Sequence, residues 1–311
     1  MTIHLDPLPL FFGVGLLVGA LKVDLRFPKD LHDGLSLYLL LALGLKGGQG
    51  LAQSPGAWAA PATAALALAV LLPLVAFAWL KSWGFARADS AALAAHYGSV
   101  SVATFAVAQA YLTSQGLSFE PAMAFCLVLM EAPALGLGVW LAKGEKAGEA
   151  ARLLLHEVLL SKPIVLLISG LAIGFLAPPD KLEGLTPFFG GLFKGLLGLF
   201  LLEMGVTASV HLAGLRQQGL KLAAFALLFP LVGASLGLLA GHLAGLSTGG
   251  AILLAVLAAS ASYIAAPAAM RTTVPEANPA LYLTASLGVT FPFNVLVGIP
   301  LYVAVAQWLS P

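Results

Sequence analysis

From Leu8 to Leu309 the chain is a succession of apolar segments, separated by short stretches that hold nearly all of its charge. A membrane-crossing helix needs about 20 apolar residues, and after allowance for short loops 311 residues accommodate roughly ten such helices. With 60% of residues hydrophobic and 9% charged, the composition lies outside the range of soluble domains. The expected class is therefore an all-α integral membrane protein built as one polytopic domain. The net charge of +1 gives no sign of a nucleic-acid or acidic-polymer partner, and the single cysteine, Cys126, excludes an intrachain disulfide. Met1 to Pro7 carries neither a basic region nor a small-residue cleavage site, so the first apolar segment is expected to remain as a span.

Spans are expected at about Leu8–Leu21, Gly34–Ala52, Trp58–Leu80, Ala91–Thr113, Phe119–Ala142, Pro163–Ala177, Pro187–Leu212, Leu220–Leu246, Gly250–Met270 and Leu281–Leu309. Lys143–Lys162 is the longest hydrophilic connection, and Arg152–His156 within it is expected to form a small surface helix. The order of features then repeats. Gly15 and Gly19 recur as Gly170 and Gly174, Leu45-Lys46-Gly47-Gly48 as Leu202-Glu203-Met204-Gly205, and Ser99 and Ser101 as Ser260 and Ser262, at offsets of 155, 157 and 161 residues. Duplication accounts for three matches in chain order. Residues 1–142 are read as a first five-helix repeat, 143–162 as a cytoplasmic connection and 163–311 as a second repeat. Five spans per half is an odd number, so the halves enter the membrane in opposite orientation, as an inverted repeat. Grouping alternate loops puts Lys22, Arg26, Lys29, Lys81, Arg87, Lys143, Lys146, Arg152, Lys162, Arg216, Lys221 and Arg271 on one side, against Lys181 on the other. By the positive-inside rule the first side is cytoplasmic and both termini lie outside.

Two hydroxyl-rich patches interrupt the apolar pattern, Ala95–Thr104 and Ala259–Pro267. Each combines Gly or Pro with two serines two residues apart, which suits a membrane helix that breaks. A broken helix exposes amides that bind an anion and carbonyls that hold a cation. Gly98, Ser99, Val100, Ser101 and Thr104 of the first patch, with Ala261, Ser262 and Tyr263 of the second, are the expected substrate contacts. Neither patch contains Lys or Arg, so a small oxyanion would be held by dipoles and hydroxyls, with a co-bound cation supplying charge. Oxygen donors for sodium are sought at Ser99, Thr104, Glu131, Ser260, Ser262 and Asn294. The plainer reading of the patches is that small residues let helices pack. His96 is open to the same two readings, and Lys46 and Glu203 are placed to pair. No catalytic residue is assigned. Paired-His, Cys-rich and phosphate-loop motifs are missing, and no nucleophile motif surrounds Ser99 or Ser262 to support a membrane hydrolase.

At His96–Phe105, Leu127–Pro133, Ala259–Ala269, Pro275–Asn278 and Thr290–Asn294, the chain resembles the sodium-dependent bicarbonate transporter family of the SbtA type. The likeness runs over nearly the whole length. The resemblance implies two inverted five-helix repeats with two broken helices, and a core domain that moves against a gate domain in elevator fashion. It also implies a sodium-coupled symporter of bicarbonate in the plasma membrane, a homotrimer, and a PII-like regulator on the cytoplasmic side. The connection Lys143–Lys162 is shorter than in the cyanobacterial members. No cofactor is expected beyond Na+ as coupling ion. The alternatives are a small organic anion as cargo, or a membrane sensor that binds an anion without transporting it.

Overall fold

The computed structural model describes residues 6–25, 27–54, 56, 58–148, 156 and 158–309. The expected surface helix at Arg152–His156 lies, apart from His156, outside the described residues. The described residues are helical and contain no strand. Seven helical segments among them are long and apolar enough to cross a membrane, and three more, at Pro7–Ala20, Lys162–Leu176 and Thr248–Ala259, are apolar but shorter.

In chain order the helices are α1 (Pro7–Ala20), α2 (Lys29–Gln53), α3 (Ala59–Ser82), α4 (Arg87–Gly98), α5 (Val102–Ser114) and α6 (Met123–Lys143). They continue as α7 (Lys162–Leu176), α8 (Phe193–Gln218), α9 (Leu220–Leu243), α10 (Thr248–Ala259), α11 (Ala265–Thr273) and α12 (Pro279–Leu309). Side-chain caps set several starts. Asp6 accepts from the Leu8 amide, Ser247 from the Gly250 amide and Asn278 from the Ala280 amide, which occupies amides that a helix start otherwise leaves unpaired. Helix α2 begins at Lys29, ahead of the Gly34 expected from hydropathy, because Pro28 stops the preceding chain and the polar first turn simply continues the helix outward.

Two groups of helices emerge from the packing. In the first, α1 lies on α8 and α2 on α7. Glycines make these contacts close: a Cβ on Gly15 would strike the Leu202 carbonyl and Gly205, and one on Gly170 would lie 2.9 Å from the Leu41 carbonyl and 3.0 Å from Gly44 Cα. In the second, α3, α4 and α6 pack mutually, α9 packs on α10, and α12 runs beside both. An aromatic cluster of Trp79, Tyr97, Phe225 and Phe229 joins α3, α4 and α9. Helix α12 is wound as a π-helix over Thr284–Thr290 and again over Asn294–Gly298, on either side of Pro292, whose ring lacks the N–H that a regular turn requires.

Hydrogen bonds between loops define two ends. At one, Lys221 reaches the Trp83 carbonyl, Arg87 the Leu141 carbonyl, and Asp89 accepts from the Asn278 amide. At the other, Asp6 holds Lys194 and Ser114, and Glu120 accepts from the Ser247 amide and hydroxyl. The first end carries the basic loops identified in the sequence.

Candidate functional site

Helix α4 stops at Gly98 and α5 starts at Val102, while α10 stops at Ala259 and α11 starts at Ala265. Both α4 and α10 have 12 residues, about 18 Å of rise, which is shorter than the roughly 30 Å hydrocarbon core of a bilayer. Gly98 makes the first stop possible by packing: a Cβ there would lie 2.6 Å from Pro73 Cδ and 3.0 Å from Ala134 Cβ.

The two linkers are tied to one another. The Ser101 amide donates to Ser260 Oγ at 3.0 Å, and the Ser262 amide donates to the His96 carbonyl at 2.8 Å. Each serine then caps the half-helix that follows it. Ser101 Oγ accepts from the Thr104 amide at 3.2 Å and from the Thr104 hydroxyl at 2.9 Å, and Ser262 Oγ accepts from the Ala266 amide at 3.2 Å. The Ser101 hydroxyl also faces the Tyr263 phenol across the first linker. The amides of Val102 and Ala103, and of Ile264 and Ala265, donate to no described residue. All four residues line one cleft that lies between the two helix groups. Two helix N-termini thus present unpaired N–H groups and the positive ends of their dipoles to a single space.

Three further polar groups belong to this cleft. Glu131 on α6 lines it, is 4% exposed, and makes no hydrogen bond or ion pair with a described residue. The Tyr263 phenol lines it beside Ser101, and the Ser36 hydroxyl lines it with its oxygen buried and without a partner. A buried polar atom without a partner points to a missing ligand. The cleft is therefore rich in donors and holds one uncompensated carboxylate, a combination that accepts an oxyanion together with a cation.

The other residues singled out in the sequence have different surroundings. Val100, Ser101, Ser262, Tyr263 and Glu131 line the cleft. Ser99 is buried just behind it, its hydroxyl unpartnered, and Ala261 is buried in the second linker. Thr104 is turned onto Ser101, and Ser260 donates its proton to the Leu257 carbonyl at 2.9 Å while it holds the Ser101 amide. Asn294 has both ends of its amide engaged: it donates to the Ala259 carbonyl and accepts from the Tyr302 hydroxyl, each at 2.8 Å. It pins the end of α10. His96 stacks on Tyr282 with ring centres 4.4 Å apart, and its Nδ1 meets the Ala92 carbonyl at 2.6 Å. Lys46 and Glu203 do not pair. Glu203 meets His32 at 2.7 Å, whereas the Lys46 ammonium lies 4.9 Å over the Phe193 ring.

Sequence reasoning passed over Ser36, Phe200 and Tyr302. Ser36 is a lone hydroxyl in the apolar part of α2, and Phe200 is one of many aromatic residues in apolar segments. Only the tertiary arrangement brings them to the cleft, whereas Tyr302 is found once Asn294 needs a partner.

Comparison with curated proteins returns no match. A family description, that of the Na+-dependent bicarbonate transporter superfamily, matches residues 7–307, nearly the whole chain. On that match, over the same residues that build the cleft, the chain belongs to the Na+-dependent bicarbonate transporter superfamily.

Proposed function

We propose that the protein imports bicarbonate by sodium symport. The observation that carries this reading is the meeting of two half-helix N-termini, with four unpaired amides, at one cleft beside the unpartnered carboxylate of Glu131. Bicarbonate is held by the amides of Val102, Ala103, Ile264 and Ala265 and by the protons of Ser101, Ser262 and Tyr263. Sodium binds at Glu131, with the Ser99 hydroxyl and the free carbonyls at the end of α4 as further oxygen donors. Its charge offsets the repulsion between Glu131 and the anion.

The proposed architecture is ten membrane segments in two inverted repeats. Adding the three shorter apolar helices to the seven long segments gives ten. Packing supports the repeat. Gly15 of α1 meets Gly205 of α8, and Gly170 of α7 meets Gly44 of α2, so each first helix is glued to the second helix of the other half. Gly44 and Gly205 are 161 residues apart, the same offset as Ser99 and Ser260. On that offset Lys46 would correspond to Thr207, one helical turn beyond the Glu203 matched by the letters at 157. In the transport cycle the group of α3–α6 and α9–α12 slides as a unit against the glycine-bonded group of α1, α2, α7 and α8, with the basic end in the cytoplasm.

Purified protein in proteoliposomes tests the reading. An inward sodium gradient is expected to drive accumulation of radiolabelled bicarbonate, and an equal potassium gradient is not. Uptake indifferent to sodium would remove the coupling. Binding of bicarbonate without uptake would leave a sensor.

A further inference from the structure

The seam between the two helix groups holds a second and larger space, at the end that carries Asp6, Ser114 and Glu120. Helical spacing connects it to the cleft. On α2, Ser36 and Leu40 line the cleft, and Lys46 and Gly50 line the second space. On α5 the sequence is Val102, Ala106, then Gln109 and Thr113, and on α8 it is Phe200, then Phe193. Taken through Leu39, which also lines the cleft, the steps on α2 are three, seven and four residues, those on α5 four, three and four, and that on α8 seven, so each set stays on one face of its helix. A stripe on each of three helices therefore runs from one space to the other over about 15 Å of helix rise. Leu43 and Leu197 fall on these stripes between the two spaces and are buried, 1% and 0% exposed, so packed side chains separate one space from the other.

The charge in the second space is one-sided. Its lining contains Lys46 and Lys194 and no Asp or Glu among the described residues. Lys194 is paired with Asp6 at 3.3 Å. Lys46 lies within ion-pair distance of no described carboxylate, and its ammonium rests over Phe193 about two turns inside the end of α2. A cation that deep in a span without a counter-charge is costly to keep and attracts anions. We infer that this space is an outer anion vestibule in which Lys46 captures bicarbonate before it reaches the cleft. The inference rests on the proposed transport of bicarbonate and deepens it by naming where the anion first binds.

The test is Lys46→Cys in proteoliposomes. Cys126, the only other cysteine, is fully buried, so methanethiosulfonate reagents added outside address position 46. The variant is expected to raise the KM for bicarbonate about fivefold at low ionic strength with little change in maximal rate, and the difference should shrink in choline chloride. An aminoethyl adduct, which returns a positive charge, restores the KM, and a sulfonatoethyl adduct raises it further. This restoration also shows that the variant is folded. Transport with a KM indifferent to the charge at position 46 overturns the vestibule and leaves the transport function standing. Absence of bicarbonate uptake by the unsubstituted protein overturns both.

Discussion

Ser262 donates its backbone N–H to the carbonyl oxygen of His96 at 2.8 Å, and so joins the second broken helix to the last turn of the first. The reciprocal bond, from the Ser101 amide to Ser260 Oγ, completes a double tie between linkers that are about half a chain apart. Neither half of the site is positioned by local sequence alone.

Ser260→Ala removes the acceptor of that reciprocal bond and leaves the buried Ser101 amide without a partner. The expected loss is about 1–3 kcal/mol of stability. It would be read as a lowered melting temperature in detergent, with weaker bicarbonate uptake. Ser260→Thr keeps the hydroxyl and is expected to recover much of both. Equal melting of Ser260→Ala and the parent protein would mean that the tie contributes nothing.

Asn294 and Tyr302 act in sequence on the Ala259 carbonyl. Asn294→Ala strands that carbonyl and the Tyr302 hydroxyl together, whereas Tyr302→Phe removes only the outer partner. The first should therefore cost more, and the double variant should cost less than the sum of the two single ones. Simple additivity in a thermal-stability cycle would show that the two side chains act independently.

Glu131→Gln keeps the shape of the side chain and removes its charge. Under the proposed sodium role, the sodium concentration for half-maximal uptake should rise on the order of tenfold or more, equivalent to ~1.4 kcal/mol or more of cation affinity. Thermal stability should hold or increase, since an unpaired buried carboxylate is unfavourable when no cation is bound. Unchanged sodium dependence would assign the coupling ion to other oxygens.

Gly44 and Gly13 offer a paired test of packing. A Cβ on Gly44 would lie 2.6 Å from the Leu167 carbonyl and 2.8 Å from Gly170 Cα, and one on Gly13 meets nothing within 4 Å. Gly44→Leu is expected to cost at least about 1–3 kcal/mol and to spoil the size-exclusion profile, and Gly13→Ala should be silent. Similar profiles for the two would contradict the close α2–α7 contact.

The apolar runs disclosed the helices, because their lengths and the charges between them are local properties of the chain. The two breaks were legible for the same reason: Gly98 or Pro267 beside paired serines is a strong local departure from the apolar pattern. What remained hidden were pairings across long separations. That Ser260 would hold the Ser101 amide, or that Glu203 would meet His32 rather than Lys46, depends on how α2, α8 and the linkers sit in space. The letters alone leave the register of the second helices open within a turn, because Leu and Gly recur every few residues, and the contact glycines Gly44 and Gly205 favour an offset of 161 under the proposed repeat. Ser36 gave only one hydroxyl as signal, and nothing near it in sequence indicated that it would share a cleft with Tyr263.

The double tie between the linkers also bears on what drives accumulation. A cradle laced at two points keeps its shape whichever face of the bilayer it opens to, so under the proposed cycle it grips its cargo equally on departure and on arrival. Such a carrier gains nothing by loosening its hold at the destination. Its concentrating power then comes from the sodium gradient, and collapsing that gradient should let the same machine run backwards at comparable affinity.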